Sequence, residues 1–241
     1  MKNKINFYTT IKGVDNIYPI IPIKKYIPEW LKKSKSTFNK HSHVLKCPGI
    51  KDSLKYGWLI RLWQDIKLDI DENGKYNWSS PSDMAKLSNN LNESQFAFHD
   101  ENAFYNHTEK WPKDSFTKIV KINIPYVVEV PKGYLLYQVH PFYLDENRFT
   151  SLPGAYNPAY GMARLQVPMI AHISKGSLLL EAGTIVAQLF LVKEEEFEYE
   201  ILHLEDDKDA LKFFKTSLLS LRNKFIRNYS KIKEIFNKND I

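Results

Sequence analysis

Residues Val130–Val192 constrain the fold of this chain more than any other stretch. Apolar and aromatic clusters of four to eight residues alternate there with Pro-Lys-Gly, Asp-Glu-Asn, Leu-Pro-Gly, Asn-Pro, Lys-Gly and Ala-Gly. Short apolar runs bounded by turn-formers are the signature of successive β-strands, because proline and glycine punctuate the ladder where the chain must reverse. The segment predicts a mainly β (α+β) body, an antiparallel β-sandwich or a small barrel. At 241 residues and 43% hydrophobic content, the chain can bury one sizeable core. Cys47 is the sole cysteine, so neither an internal disulfide nor a cage of thiolates around a metal is available within one chain.

Charge divides the sequence into three parts. Residues 1–56 carry 12 Lys and 3 acidic residues (+9), residues 57–206 carry 13 basic and 21 acidic residues (−8), and residues 207–241 carry 9 basic and 4 acidic residues (+5). The divisions suggest a basic N-terminal segment (1–56) of extended and short-helical structure packed on the core, a β-rich core (57–204) and a C-terminal amphipathic helix (205–241). Lysine-rich ends attract polyanions, but the lysines are dispersed and no RNA-binding or helix-turn-helix signature accompanies them. A nucleic-acid partner is therefore the weaker reading, and contact between the basic ends and acidic surface the stronger. No leader and no apolar run long enough to span a bilayer is seen, so no membrane association is expected.

Along the chain, Ile5–Thr9 reads as a first strand, Pro28–Lys33 as a short helix, Cys47-Pro48-Gly49 as a turn and Ile50–Lys55 as a helical turn. Trp58–Trp63 and Asp65–Asp71 read as strands. In the second, Ile66, Leu68 and Ile70 share one face, and Glu72-Asn73-Gly74 closes a hairpin onto Lys75–Ser79. Ser34–His43 and Ser80–Ser94 read as loops, and Gln95–His99 as a strand. Phe116–Val130 is expected as two strands broken at Pro125, with the last strand at Phe197–Leu204. Beyond Glu205-Asp206-Asp207, the residues Leu211, Phe214, Leu218, Leu221, Phe225, Ile232 and Ile235 recur at helical spacing, predicting a helix of about 25–30 residues.

Several groups could carry chemistry. His99, Asp100 and His107, joined by His140 and His172 from the β segment, would make a cupin-like metal site. Their spacing matches no metal motif, and the expectation is no metal and no cofactor. Cys47 beside His41 or His43 reads as a structural thiol rather than a nucleophile. The carboxylates Asp65, Asp69 and Asp71 share a strand face interrupted by Lys67, which marks a solvated face. Trp58, Trp63, Trp78, Tyr56 and Tyr76 suit cross-strand aromatic packing, with a stacking platform using Trp63 and Trp78 as the functional alternative. No nucleophile elbow, phosphate-binding loop or dinucleotide fingerprint occurs, and no catalytic residue is assigned.

Two resemblances add to this reading. IPIKKYIPEWLKK, VLKCPGIKDSLKYGWLIRLWQDIKL, VVEVPKGYLLYQVHPFYL and LEAGTIVAQLFLV, in that order, resemble a family of uncharacterised tailed-bacteriophage proteins of marine phage type. That resemblance implies a viral protein of the infected host's cytoplasm or of the virion. More locally, PKGYLLYQV, Gly154–Val167 (GAYNPAYGMARLQV) and Gly183–Leu189 (GTIVAQL) resemble the β-clip core of dUTPases and dCTP deaminases. This implies a β-clip-like barrel with Tyr160 against a base and Gln188 near a subunit or ligand edge. Asn157 stands where those enzymes carry a water-activating Asp, and an amide cannot take a proton as a carboxylate does. Their Arg-Ser phosphate motif has no counterpart.

The expectation is a non-enzymatic β-rich binding or assembly module that meets a protein partner, or itself, through the β core and the C-terminal helix. Its candidate binding residues are Tyr160, Gln188, Asn157, His140, Trp63 and Trp78. The alternatives are a nucleotide-handling enzyme of β-clip type and a cupin-like metal-dependent enzyme.

Overall fold

A computed structural model describes residues 4–26, 28–30, 48–80, 96–99 and 112–224. The chain divides into two compact units, one of Met1–Lys33 with Asp52–Glu195 and one of Ser34–Lys51 with Glu196–Ile241. The expected sites at His41, His43, Cys47, Asp100 and His107, and the helix beyond Lys224, lie outside the described residues.

The first unit holds the strands. They are β1 (Asn6–Thr9), β2 (Ile21–Pro22), β3 (Trp58–Arg61), β4 (Ile66–Ile70), β5 (Tyr76–Ser79), β6 (Phe96–His99), β7 (Ile119–Glu129), β8 (Tyr134–Val139), β9 (Phe149–Ser151), β10 (Gly154–Tyr156), β11 (Ala163–Ala171), β12 (Gly176–Leu180) and β13 (Ile185–Lys193). All pairings among the described residues are antiparallel. One sheet runs β1-β7-β11-β9 with β6 also on β7, a second runs β10-β8-β13-β3-β2, and a third runs β12-β4-β5. The fold is thus mainly β, built from open antiparallel sheets.

Period-two alternation builds the core. Ile66, Leu68 and Ile70 of β4 turn inward, as do Val120, Ile122, Ile124, Tyr126 and Val128 of β7, to meet Leu136, Phe149, Leu165, Met169 and Leu189. Each such side chain contributes about 1.5–3 kcal/mol by leaving water. The Asp65–Ser79 hairpin closes where expected. The Oδ1 of Asp71 accepts the N–H groups of Asn73 and Lys75, both at 2.8 Å, and Gly74 takes φ +76°. Asp65 accepts the N–H of Ala182 at 2.7 Å, and Asp69 pairs with Lys67 at 2.9 Å, so the carboxylates of this strand serve the structure.

Three local expectations are corrected. Pro125 does not break the strand, because β7 runs unbroken for 11 residues. The β7–β11 register shifts between Arg164 and Gln166, so the proline, which has no N–H to give, lies where the ladder is already interrupted. Pro48-Gly49 opens a helix, Pro48–Ser53, rather than a turn; the fixed φ of proline suits a first helical turn, where its missing N–H is not needed. Phe197–Leu204 pairs with no strand among the described residues; the β block ends at Lys193.

In the second unit the helix Lys208–Lys224 starts at Asp207, whose Oδ1 accepts the N–H groups of Asp209 and Ala210 at 2.9 Å each. Phe213 remains 74% exposed. No helix among the described residues is long and apolar enough to cross a membrane.

Candidate functional site

The segment Gly154–Met162 is held from within. β10 pairs with β8, placing Ala155 opposite Tyr137 and Tyr156 opposite Leu136. From this strand the Tyr156 hydroxyl crosses to the other sheet. It accepts the N–H of Gln166 at 3.1 Å and shares its proton between the Gln166 carbonyl (2.9 Å) and the Gln138 amide oxygen (3.2 Å). Burial pushes the Tyr156 pKa above the usual phenol value. The bonds continue inward: the Gln166 side-chain amide donates to Asn123 Oδ1 at 2.7 Å, and Trp63 Nε1 donates to the Asn123 carbonyl at 3.3 Å.

On this base sits the turn. Asn157 Oδ1 accepts the Ala159 N–H at 2.8 Å and starts the 3-10 turn Pro158–Tyr160. Gly161 follows at φ +81°, and Tyr160 projects 88% exposed. The Asn157 side chain is therefore occupied in shaping the turn, and the Tyr160 ring makes no hydrogen bond or ring contact among the described residues.

Gln188 is buried and bonded at both ends. Its Oε1 accepts the Phe142 N–H at 3.1 Å and its Nε2 donates to the Tyr56 carbonyl at 3.4 Å, tying two connections to β13. His140 directly follows Val139, the residue that pairs with Gln188. His140 Nδ1 accepts the Ser151 N–H at 3.2 Å, which places the ring proton on Nε2, and the ring meets Phe149 edge-on. Burial lowers its pKa, the nearby Glu146 raises it and His172 lowers it. Both nitrogens of His172 are engaged, Nδ1 at 2.7 Å from the Asn147 carbonyl and Nε2 at 2.9 Å from Thr150 Oγ1. His99 is also lowered by burial. Among the described residues, no three His, Cys, Asp or Glu side chains cluster as metal ligands.

Trp63 is 3% exposed and belongs to the core. Trp78 packs half-buried between Phe96 (5.7 Å) and Phe116 (6.3 Å), while Tyr76 meets Phe116 at 4.9 Å. The structure thus joins Asn157 and Tyr160 in one turn, links that turn to Trp63 through Tyr156, Gln166 and Asn123, and sets His140 just past the end of β8, which pairs with the strand of Gln188. No hydrogen bond or ring contact among the described residues joins Tyr160 to Gln188, His140 or Trp78.

Sequence reasoning missed Tyr156, Gln138 and Arg148. Gln138 had a signal, as a lone amide within the apolar YLLYQV. Arg148 binds Glu146 (2.8 Å) and Glu181 (2.6 Å) and gives its Nη1 to the Leu179 carbonyl (2.8 Å). Its bonds hold the Glu146 carboxyl below the usual carboxylate range even though burial alone pushes it up.

One further surface stands out. Beyond β13, Phe197 (79%), Tyr199 (87%), Ile201 (87%) and Leu202 (65%) are exposed. Glu196, Glu198 and Glu200 alternate with them, and residues 194–207 hold eight acidic side chains.

By its strands and their pairing, this is an antiparallel, mainly β protein. No family model and no curated protein matches the chain. Among solved structures it is similar to a dUTPase from phage phi11 of S. aureus, at 11% identity and TM-score 0.36, covering 86% of this chain and 99% of that one. It is likewise similar to the dUTPase of Staphylococcus bacteriophage 80alpha, at 12% identity and TM-score 0.38, covering 84% and 97%.

Proposed function

We propose that this chain is a β-rich assembly module that binds a second copy or a protein partner through the acidic, apolar segment Phe197–Leu204 and performs no catalysis of its own. The observation that carries the reading is the exposure of Phe197, Tyr199, Ile201 and Leu202 in a run with strand alternation and no strand partner among the described residues. Each large apolar side chain left in water forgoes about 1.5–3 kcal/mol. Such a segment also keeps backbone N–H and C=O groups that can extend another sheet. In contrast, three side chains suited to acid–base work are spent on structure: Asp65 on Ala182, Asp71 on its hairpin, and His172, through both nitrogens, on its neighbours.

Light scattering during size exclusion tests it. The wild-type chain is expected to run as an oligomer, and the double variant Tyr199→Glu/Ile201→Glu as a monomer with an unchanged melting temperature, since both side chains are in water already. A wild-type chain that stays monomeric at high micromolar concentration, and recovers no protein partner through this segment, removes the proposal.

A second reading has its own support in the turn that presents Tyr160. A ring 88% exposed, on a turn fixed by Asn157 and anchored by Tyr156, is a ready stacking surface for a nucleobase, and the local resemblance to dUTPases and dCTP deaminases falls on these residues. With Asn157 in place of a carboxylate, the expected outcome is binding without turnover. A deoxynucleoside triphosphate would raise the melting temperature while no pyrophosphate appears, and Tyr160→Ala would abolish the rise. If no deoxynucleotide shifts the melting curve, with or without Mg²⁺, this reading fails.

A further inference from the structure

Arg61 is a cation with no hydrogen-bond or ion-pair partner among the described residues. Ile60 of β3, and Leu62 just after it, turn into the main core, while Leu59 joins a smaller cluster with Ile23 and Ile185. Strand alternation puts Arg61 on the face of Leu59, and it pairs in register with Ile185. Its Nε is buried, and no hydrogen bond to it exists among the described residues. A guanidinium stays charged at any ordinary pH, and a buried donor left unmade costs free energy that natural proteins rarely tolerate without a use for it.

The same residue lines a cleft of about 630 Å³, a volume within the range of small-molecule sites. Tyr26, Trp30, Leu144 and Ile185 give the cleft an aromatic and aliphatic wall. Trp30 is fixed there by the bond from its Nε1 to the Tyr143 carbonyl at 2.6 Å. The other cation in the lining, Arg148, is fully committed to Glu146, Glu181 and the Leu179 carbonyl, and so neutralises Glu146. The carboxylate of Asp145 also lines the cleft and is exposed.

These charges narrow the ligand. One unpaired guanidinium offers a planar fork to a single oxyanion. The exposed carboxylate of Asp145 opposes any ligand with several negative charges. We propose that the cleft binds a small monocarboxylate with a flat apolar body, its carboxylate on Arg61 and its body against Trp30, Tyr26 and Leu144. This site is independent of both the Phe197–Leu204 segment and the Tyr160 turn.

Thermal melting with three probes tests it on the full chain. Phenylacetate, present at ten times its dissociation constant, is expected to raise the melting temperature by about 3 °C or more. The uncharged isostere 2-phenylethanol is expected to leave it unchanged, and the dianionic phenyl phosphate to bind at least about fivefold more weakly. Arg61→Met keeps the aliphatic stem and removes the unpaired charge; it is expected to abolish the phenylacetate shift while melting no lower than the wild type without ligand. Three results overturn the proposal. The first is a loss of several degrees in unliganded Arg61→Met, which would make Arg61 a structural partner. The second is equal stabilisation by the alcohol or tighter binding of the phosphate. The third is a wild-type curve that phenylacetate does not move.

Discussion

Gly57→Ala is expected to lower the melting temperature by about 10 °C or more, the largest effect of any single added methyl group in the described part of the chain. Gly57 stands at φ +95°, immediately before β3, and a Cβ built on it would lie 2.0 Å from the Leu189 carbonyl oxygen and 3.1 Å from its carbon. That oxygen belongs to the backbone of β13 and cannot rotate away as the end of a side chain could. To admit the methyl group, the start of β3 must separate from β13, where Trp58 pairs with Leu189. The Gly57 carbonyl, which accepts the Ile23 N–H at 3.0 Å, moves with it. The left-handed conformation adds roughly 1–2 kcal/mol for a residue with a Cβ, and displacement of a central strand brings the total to about 4 kcal/mol, in the range of the severe backbone and packing mechanisms. At about 2–4 °C per kcal/mol for a chain of this size, the shift follows. Gly74→Ala supplies the control. It has a similar φ of +76° but nothing within 4 Å of the added carbon, so it should show the conformational cost alone. If the two variants melt within 2 °C of each other on the order of the single-methyl conformational cost, the close approach of β3 and β13 at Gly57 is wrong.

The contrast between these glycines also shows what a sequence exposes and what it hides. Gly74 was legible as a hairpin turn because Asp71, Asn73 and Lys75 lie beside it in the chain and the alternation of Ile66, Leu68 and Ile70 runs directly into it. Gly57 gave no such signal, because the atoms that require a glycine there belong to Leu189, over a hundred residues away. Pro125 follows the same logic: alone it argues a break, and only the β11 irregularity between Arg164 and Gln166 lets the strand continue through it. Phe197–Leu204 is the reverse case. Alternating apolar and acidic residues were read as a strand, but alternation reports an amphipathic extended segment and says nothing of whether a partner strand lies in the same chain. At the candidate site, the Asn157 and Tyr160 turn was visible because it is local. Gln188 came only through the resemblance of GTIVAQL to the β-clip core, and its two hydrogen bonds, to Phe142 and Tyr56, join segments remote in sequence. Arg61, a lone cation set in the apolar WLIRLW, carried a signal of its own and was not singled out.

Tyr156 was hidden for that reason too, and its removal is the second large effect expected. Its hydroxyl joins Gln138 of β8 to Gln166 of β11, strands that belong to different sheets. Tyr156→Phe keeps the ring and its packing but leaves the Gln166 N–H, the Gln166 carbonyl and the Gln138 side chain short of a partner. Gln138 is buried, so water cannot replace the hydroxyl there without entering the core. A buried polar group deprived of its partner costs about 1–3 kcal/mol; with several affected, a loss of about 3 kcal/mol is expected, or about 6–12 °C in melting temperature. Phenylalanine at a position where the hydroxyl merely touched solvent would cost almost nothing, so the size of the loss measures the bridge between the sheets. A second readout separates bridge from bulk stability. Because Tyr156 immediately precedes Asn157, loss of the anchor should free the turn that presents Tyr160, and backbone amide exchange at Ala159 and Tyr160 should accelerate well beyond the change at Ile122 and Val167 in the core. Gln138→Leu, which removes one partner and leaves the two Gln166 bonds in place, should cost less and leave the turn amides protected. Equal exchange at turn and core in Tyr156→Phe would mean that the turn is held by its own Asn157 cap alone, and the presentation of Tyr160 would no longer depend on the packing of one sheet against the other.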